Sequence, residues 1–212
     1  MIRIVAGSLS RLGERYDQQW LIYNPVLFLF FFGRSIADAP GVVKVVEEVF
    51  PEAQTFLDVG AGSGGFAAEV KRTGRRITAC EYNKVGRWFT GLQGVVSHPF
   101  DLNASSPAPD VTGKFDIVYS FEVGEHLPPE LGRRMVAFIA EHAHQVVFTA
   151  AIPGQGGMGH VNEQPPEYWV ELFTDAGMQF DEALTSQVRE RFHQERLAPW
   201  FEKNAIVLRA AP

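Results

Sequence analysis

Apolar and polar positions fall into short blocks along the chain, and the spacing within each block names its element. Val42, Val43, Val46 and Phe50 recur at helical intervals, predicting a helix over 36–50 that Pro51 ends. A β-rich run at 55–59 is followed by glycines and a helix over 66–73. Residues 76–80 alternate as a second strand ending at Glu81, 95–101 form a weaker third, and 115–120 a clear fourth. A helix over 130–144, a fifth strand over 145–152 and a helix over 167–176 capped by Gly177 come next. An apolar run at 178–184, a charged helix over 186–195 and a last strand over 205–210 complete the pattern. Strands alternating with helices predict an α/β fold with a doubly wound, mostly parallel sheet. Residues 1–34 read as a helical N-terminal arm or lid ahead of a core over 35–212, all within one domain. Phe28, Phe30, Phe31 and Phe32 crowd the arm. They read most simply as core, with a substrate lid, a homodimer contact or a membrane-touching surface as alternatives.

Composition narrows this picture. A length of 212 residues with 46% hydrophobic and 21% charged residues suits one globular domain. The net charge of −6 disfavours a nucleic-acid partner. A single cysteine, Cys80, forms no internal disulfide and fits a reducing compartment, so a cytoplasmic location is expected. Residues 1–20 are too polar for a secretory leader, and the apolar stretch at 21–32 is short against the ~20 residues of a membrane span.

The candidate chemistry starts in Leu57-Asp58-Val59-Gly60-Ala61-Gly62-Ser63-Gly64-Gly65-Phe66, between the first strand and its helix. Glycines there let the backbone turn tightly and approach a ligand without Cβ clashes. Gly60, Gly62 and Gly65 satisfy G-x-G-x-x-G, the dinucleotide fingerprint, with Glu81 as its ribose-binding acid. Asp58 suits a sulfonium amino acid better than a pyrophosphate. Further wording follows in order: Ala79-Cys80-Glu81-Tyr82-Asn83, Asp101-Leu102 and Phe115-Asp116-Ile117-Val118. On these motifs, residues 36–212 resemble the class I S-adenosylmethionine (SAM)-dependent methyltransferases. The resemblance implies a Rossmann-like fold and SAM held by Asp58, Gly60, Ala61 and Gly62. It implies Glu81 as the ribose carboxylate, Asp101 and Leu102 at the adenine, and Tyr82 and the backbone around Phe121 facing the cofactor.

The fourth strand runs into Glu122-Val123-Gly124-Glu125-His126, an E-x-x-E-H sequence that puts three ligand-type side chains within one turn. The pattern resembles that of ubiquinone-pathway O-methyltransferases and small-RNA 2′-O-methyltransferases, where it binds a divalent ion. By the same resemblance His160, on the glycine-rich loop after the fifth strand, supplies a further ligand. The implied metal site is Glu122, Glu125, His126 and His160, with Mg²⁺ expected and Mn²⁺ or Zn²⁺ left open. A metal-free alternative makes His126 or His160 the general base. Asn162 and Gln164 add hydrogen-bonding groups suited to a polyol, whereas Tyr168 and Trp169 read as core. His144, at the start of the fifth strand, stands at the wrong end of the sheet.

Some chemistries are excluded. The N-P-P-Y sequence of amino-methylating enzymes does not follow the fourth strand, and no cysteine lies there for a thiol mechanism. Lys71, Arg72, Arg75 and Arg76 read as a solvated turn. The expectation is an O-methyltransferase acting on a small hydroxylated acceptor, a sugar or oligosaccharide among the candidates. A non-catalytic SAM-binding partner protein is the reading from another class.

Overall fold

A computed structural model describes residues 25–211. Its elements are α1 (Pro25–Val49), β1 (Thr55–Val59), α2 (Gly65–Arg72), β2 (Arg76–Glu81), α3 (Lys84–Leu92), β3 (Ser97–Pro99) and β4 (Phe115–Phe121). A 3₁₀ turn (Gly124–His126) then leads to α4 (Pro129–His142), β5 (Ala143–Thr149), α5 (Pro166–Asp175), β6 (Met178–Phe180), α6 (Glu182–Gln194), α7 (Pro199–Asn204) and β7 (Ile206–Ala210).

The strands form one seven-stranded sheet in the order β3-β2-β1-β4-β5-β7-β6. β1 to β5 pair in parallel, and β7 runs antiparallel between β5 and β6. The chain winds outward from β1 to β3 and returns to β4, so the strand order reverses between β1 and β4. In such sheets the crevice opens beyond the carboxyl ends of the strands at that reversal.

Alternation along the strands sends side chains into two separate cores. Phe56, Ile117, Tyr119, Val147 and Val207 meet Val42, Val43 and Val46 of α1, Val188 and Phe192 of α6, and Phe201 of α7. Leu57, Val118, Val146, Phe148 and Leu208 face the other way, onto Met135 and Ile139 of α4 and Trp169 and Phe173 of α5. The fold is the doubly wound α/β arrangement that the pattern predicts.

The differences have local causes. No break separates an arm from the first helix: α1 is continuous through residues 25–49, although Pro40 within it has no N–H to give the preceding turn. Packing of the α1 valines against the sheet holds the helix together across that lost bond. A window of α1 is long and apolar enough to cross a membrane by length and composition, and 29% of that window is buried in this domain. Residues 1–24, the larger part of the expected arm, lie outside the described residues. The third strand shrinks to three residues, because Asp101 already turns away with its N–H donating to the carbonyl of Pro107 (2.9 Å). α3 has no counterpart in the sequence reading, although Asn83 caps it by accepting from the Val85 amide (2.8 Å).

Trp169 is the largest fully buried side chain, 5.1 Å from Phe148 between ring centroids. Its ring also fills the space where a Cβ on Gly124 would sit, 2.6 Å from the Cη2 atom. Trp169→Ala is expected to cost roughly 3–5 kcal/mol in urea denaturation and to loosen the turn that starts at Gly124.

Candidate active site

The ends of β1, β2 and β4 meet around the glycine loop. Gly60 and Gly62 have φ of 78° and 54°, a left-handed backbone that glycine adopts without strain. The amides of Gly60 and Ala61 both donate to the Cys80 carbonyl (2.9 and 3.0 Å), which ties the loop to β2. A Cβ on Gly60 would stand 2.7 Å from Val123, so the loop after β4 closes directly over it. Glu81, at the end of β2, is buried and accepts from the amides of Gly62 (2.8 Å) and Asn83 (2.6 Å). Asp58 is 3% exposed, and its Oδ2 has no hydrogen-bond partner. Burial pushes the Asp58 carboxyl up to about 8, against a downward pull from the Tyr119 hydroxyl and with a further push from Glu81. Glu81 is itself raised, again by burial first.

Asp101 sits just past β3, where the Phe100 amide bonds the Glu81 carbonyl (3.2 Å), and its carboxylate accepts from the Asn103 amide (2.9 Å). Leu102 beside it is buried, whereas the Tyr82 side chain is exposed. The Phe121 ring stacks on Tyr119 at 5.0 Å and meets Phe66 and Phe201 edge-on, leaving only its backbone for a ligand. These groups lie at or just beyond the carboxyl ends of β1 to β4, and their buried acids and open glycine backbone could hold a cationic, hydroxyl-rich cofactor. The unpartnered Asp58 oxygen is the strongest sign of fit.

The acid-histidine sequence opens in the same crevice. Glu125, within the 3₁₀ turn, is 0% exposed, and neither carboxylate oxygen has a hydrogen bond of ordinary geometry. Burial and the neighbouring Glu122 charge drive its carboxyl well above the usual range. Its backbone carbonyl accepts from the amides of Val161 (2.8 Å) and Asn162 (3.0 Å), stitching the loop after β5 onto the turn. That stitch delivers His160: its Nε2 lies 3.9 Å from Glu125 Oε1, and its ring stands edge-on to His126 at 4.9 Å. Ligand atoms of Glu125, His126 and His160 all lie within 4.8 Å of one another. Burial, followed by the influence of His160, lowers His126 to about 4, so it is neutral at physiological pH. A neutral imidazole is the form that a divalent cation requires, and a cation bound here would have to displace the Glu125 proton.

Glu122 falls outside that group. It takes a left-handed φ of 55°, and its oxygens accept from Gln155 Nε2 (2.6 Å) and Asn204 Nδ2 (3.1 Å). Asn204 also donates to Gln155 Oε1 (2.9 Å), closing a ring of three side chains. Thus three of the four expected metal ligands converge and the fourth is held by amides. Gln155, Asn204 and Glu163 are polar partners that the sequence reading passed over. Only Glu163 carried a readable signal, as an acid one helical turn's spacing after His160. Asn162 is buried, accepts from Gln164 through its Oδ1 (3.1 Å), and has no partner for its Nδ2. His144 stands near Asp116 at the opposite end of the sheet, as expected.

Residues 34–204 match the Methyltransferase domain family, most of the chain, and the chain belongs to that family. It is similar to the sugar N-methyltransferase from Streptoalloteichus sp ATCC 53650, with 17% identity over 87% of this chain and 92% of that one, at a TM-score of 0.64. It is likewise similar to magnesium protoporphyrin IX methyltransferase from Synechocystis PCC 6803, with 13% identity over 99% and 97% and a TM-score of 0.59. An O-methyltransferase family protein from Burkholderia thailandensis aligns at 14% identity over 92% of this chain and 63% of that one, with a TM-score of 0.64. These likenesses show the fold, and the family makes the chain a SAM-dependent methyltransferase.

The buried Asp58 has a pH consequence. Its folded pKa of about 8 exceeds the value of about 3.9 for an unfolded chain. The folded state therefore keeps a proton that the unfolded chain has released. This contribution to stability is full below pH ~4 and is lost as pH rises to ~8. Asp58→Asn removes it, so urea midpoints measured at pH 5, 6.5 and 8 should fall less in the variant than in the wild type. Parallel profiles would refute the assignment.

Proposed function

We propose that this methyltransferase transfers the SAM methyl group to a hydroxyl on a sugar, oligosaccharide or other small metabolite, assisted by a divalent cation held by Glu125, His126 and His160. The observation that carries the reading is Glu125, a fully buried acid with no side-chain donor and no hydrogen bond of ordinary geometry, whose ligand atom lies within 4.8 Å of those of two imidazoles. An ionised carboxylate out of water is costly, and a cation offsets that cost.

On the cofactor side, Glu81 holds the ribose hydroxyls and Asp58 faces the charged amino-acid end. Gly60, Ala61 and Gly62 supply close backbone, Asp101 and Leu102 border the adenine, and Tyr82 covers its edge. SAM supplies an electrophilic methyl on a sulfonium, so the remaining task is to align an acceptor lone pair with the carbon. An alcohol is nearly as weak an acid as water, with its pKa of ~15.7, and a bound cation makes the proton far easier to remove. The ligand set bears on the metal: with Glu122 engaged elsewhere, one carboxylate and two imidazoles suit Mn²⁺ or Zn²⁺ better than oxygen-seeking Mg²⁺. The net charge of −6 supports a small acceptor over a nucleic acid, and the single buried cysteine supports a cytoplasmic setting.

The second reading is metal-free methylation at oxygen or nitrogen with His160 as general base. The 2.8 Å contact of His160 Nδ1 with Glu163 favours it, since a carboxylate-backed imidazole is a competent base. The similarity to a sugar N-methyltransferase keeps an amine among the acceptors.

S-adenosylhomocysteine release across a panel of sugars, oligosaccharides, phenols and amines, with Mn²⁺ and with chelator, tests both. A hydroxylated acceptor whose turnover chelator abolishes is expected; turnover indifferent to chelator passes the role to the histidine base. Glu125→Gln should lower turnover at least ~100-fold, as loss of a group acting in the transition state does, and remove the response to Mn²⁺. Glu81→Ala should weaken S-adenosylhomocysteine binding about 10- to 100-fold by calorimetry, the scale of lost charged hydrogen bonds. An unchanged affinity would remove Glu81 from the cofactor site.

A further inference from the structure

Glu163 stands behind His160 in a contact that the cation reading leaves unassigned. Its carboxylate accepts from three donors on its own loop: the Gly154 amide (2.9 Å), the Gly156 amide (2.7 Å) and His160 Nδ1 (2.8 Å). The loop that makes these contacts carries left-handed glycines at Gly154, Gly156 and Gly159, so it curls around the acid. The three donors hold the Glu163 carboxyl below its ordinary range, the His160 contact most strongly. An ionised carboxylate only accepts hydrogen bonds. The contact therefore places a proton on His160 Nδ1 and leaves Nε2 as the nitrogen on the side of Glu125, 3.9 Å away.

Two further contacts fix the plane of the ring. A Cβ on Gly157 would lie 2.1 Å from His160 Nε2, 2.4 Å from Cε1 and 2.7 Å from Cδ2, so the imidazole rests directly on that glycine's backbone. His126 meets it edge-on. Gly157 has no left-handed φ, so its lack of a side chain serves the ring above it and not the turn.

We infer that Glu163 is a positioning residue, selecting the Nδ1–H tautomer of His160 and, with Gly157 beneath the ring, aiming the Nε2 lone pair at Glu125. The inference deepens the proposed function and rests on its placement of His160 in the reacting site. The tautomer of such a ring is set by the hydrogen bond its other nitrogen makes, and loss of a partner of this kind commonly costs 10- to 100-fold in metal affinity or activity.

The test requires no acceptor. Long-range ¹H–¹⁵N spectra of the full chain at pH 7.5 with chelator present, assigned with His160→Gln, report which ring nitrogen is protonated. The wild type is expected to show protonated Nδ1 and bare Nε2; a protonated Nε2 overturns the proposal without recourse to any variant. Glu163→Ala should lose the Nδ1–H preference and bind Zn²⁺ about 10- to 100-fold more weakly by calorimetry. Its affinity for S-adenosylhomocysteine should stay within about twofold, since that measures the other half of the crevice. Retention of both the tautomer and the Zn²⁺ affinity overturns the proposal. Gly157→Ala leaves Glu163 in place and displaces only the ring, and it should weaken Zn²⁺ by at least about tenfold; unaltered affinity overturns the ring placement. A wild type that binds no Zn²⁺ or Mn²⁺ removes the cation reading alone, and the tautomer then decides the role of Glu163.

Discussion

Glu125 is held in the protein interior with no hydrogen bond of ordinary geometry to either oxygen, and the neighbouring turn and loop are arranged around that carboxyl. Its backbone does the structural work that its side chain cannot. The carbonyl collects two amides from the loop after β5, and in doing so it carries His160 across the crevice. Trp169 presses on Gly124 from below, which keeps the turn short and the acid out of water. The cost of a buried, unpaired acid is met by a proton or by a cation. Two imidazoles, His126 and His160, stand beside it.

Asp58, Glu81, Glu122 and Glu125 all lie at the carboxyl edge of the sheet, and burial raises each of them. Their partners differ. Glu81 is satisfied by backbone amides and Glu122 by two side-chain amides, whereas Asp58 and Glu125 keep unpartnered oxygens. The two unsatisfied acids mark the two halves of the crevice, one beside the glycine loop and one beside the histidines. Burial favours the protonated form of each acid, and a cationic ligand brought beside them would favour the ionised form instead.

The glycine loop, the ends of β2 and β4 and the alternation of the sheet were all legible from the order of residues. They depend on rules with a range of a few positions: φ > 0 at Gly60 and Gly62, two-residue periodicity, and an acid where a strand stops. α3 was passed over although Val85, Trp88, Phe89 and Leu92 recur at helical spacing after the Asn83 cap; Gly86 and Gly91 within it are poor helix formers. The continuity of α1 across the expected boundary at residue 34 escaped because Gly33, Arg34 and Ser35 interrupt the apolar pattern, while the valines that hold the helix do so through contacts with the sheet and α6.

The site divides along the same line. Sequence alone determined the fold class, the glycine loop and which acids and histidines would share one sheet edge, because each follows from local spacing and from where parallel strands end. Tertiary structure decided that Glu122 turns to Gln155 and Asn204, residues 33 and 82 positions away. It also decided that Glu125, His126 and His160 close into one group. Those outcomes depend on which donors reach a carboxylate first, and that is a matter of distances between segments the chain order does not specify.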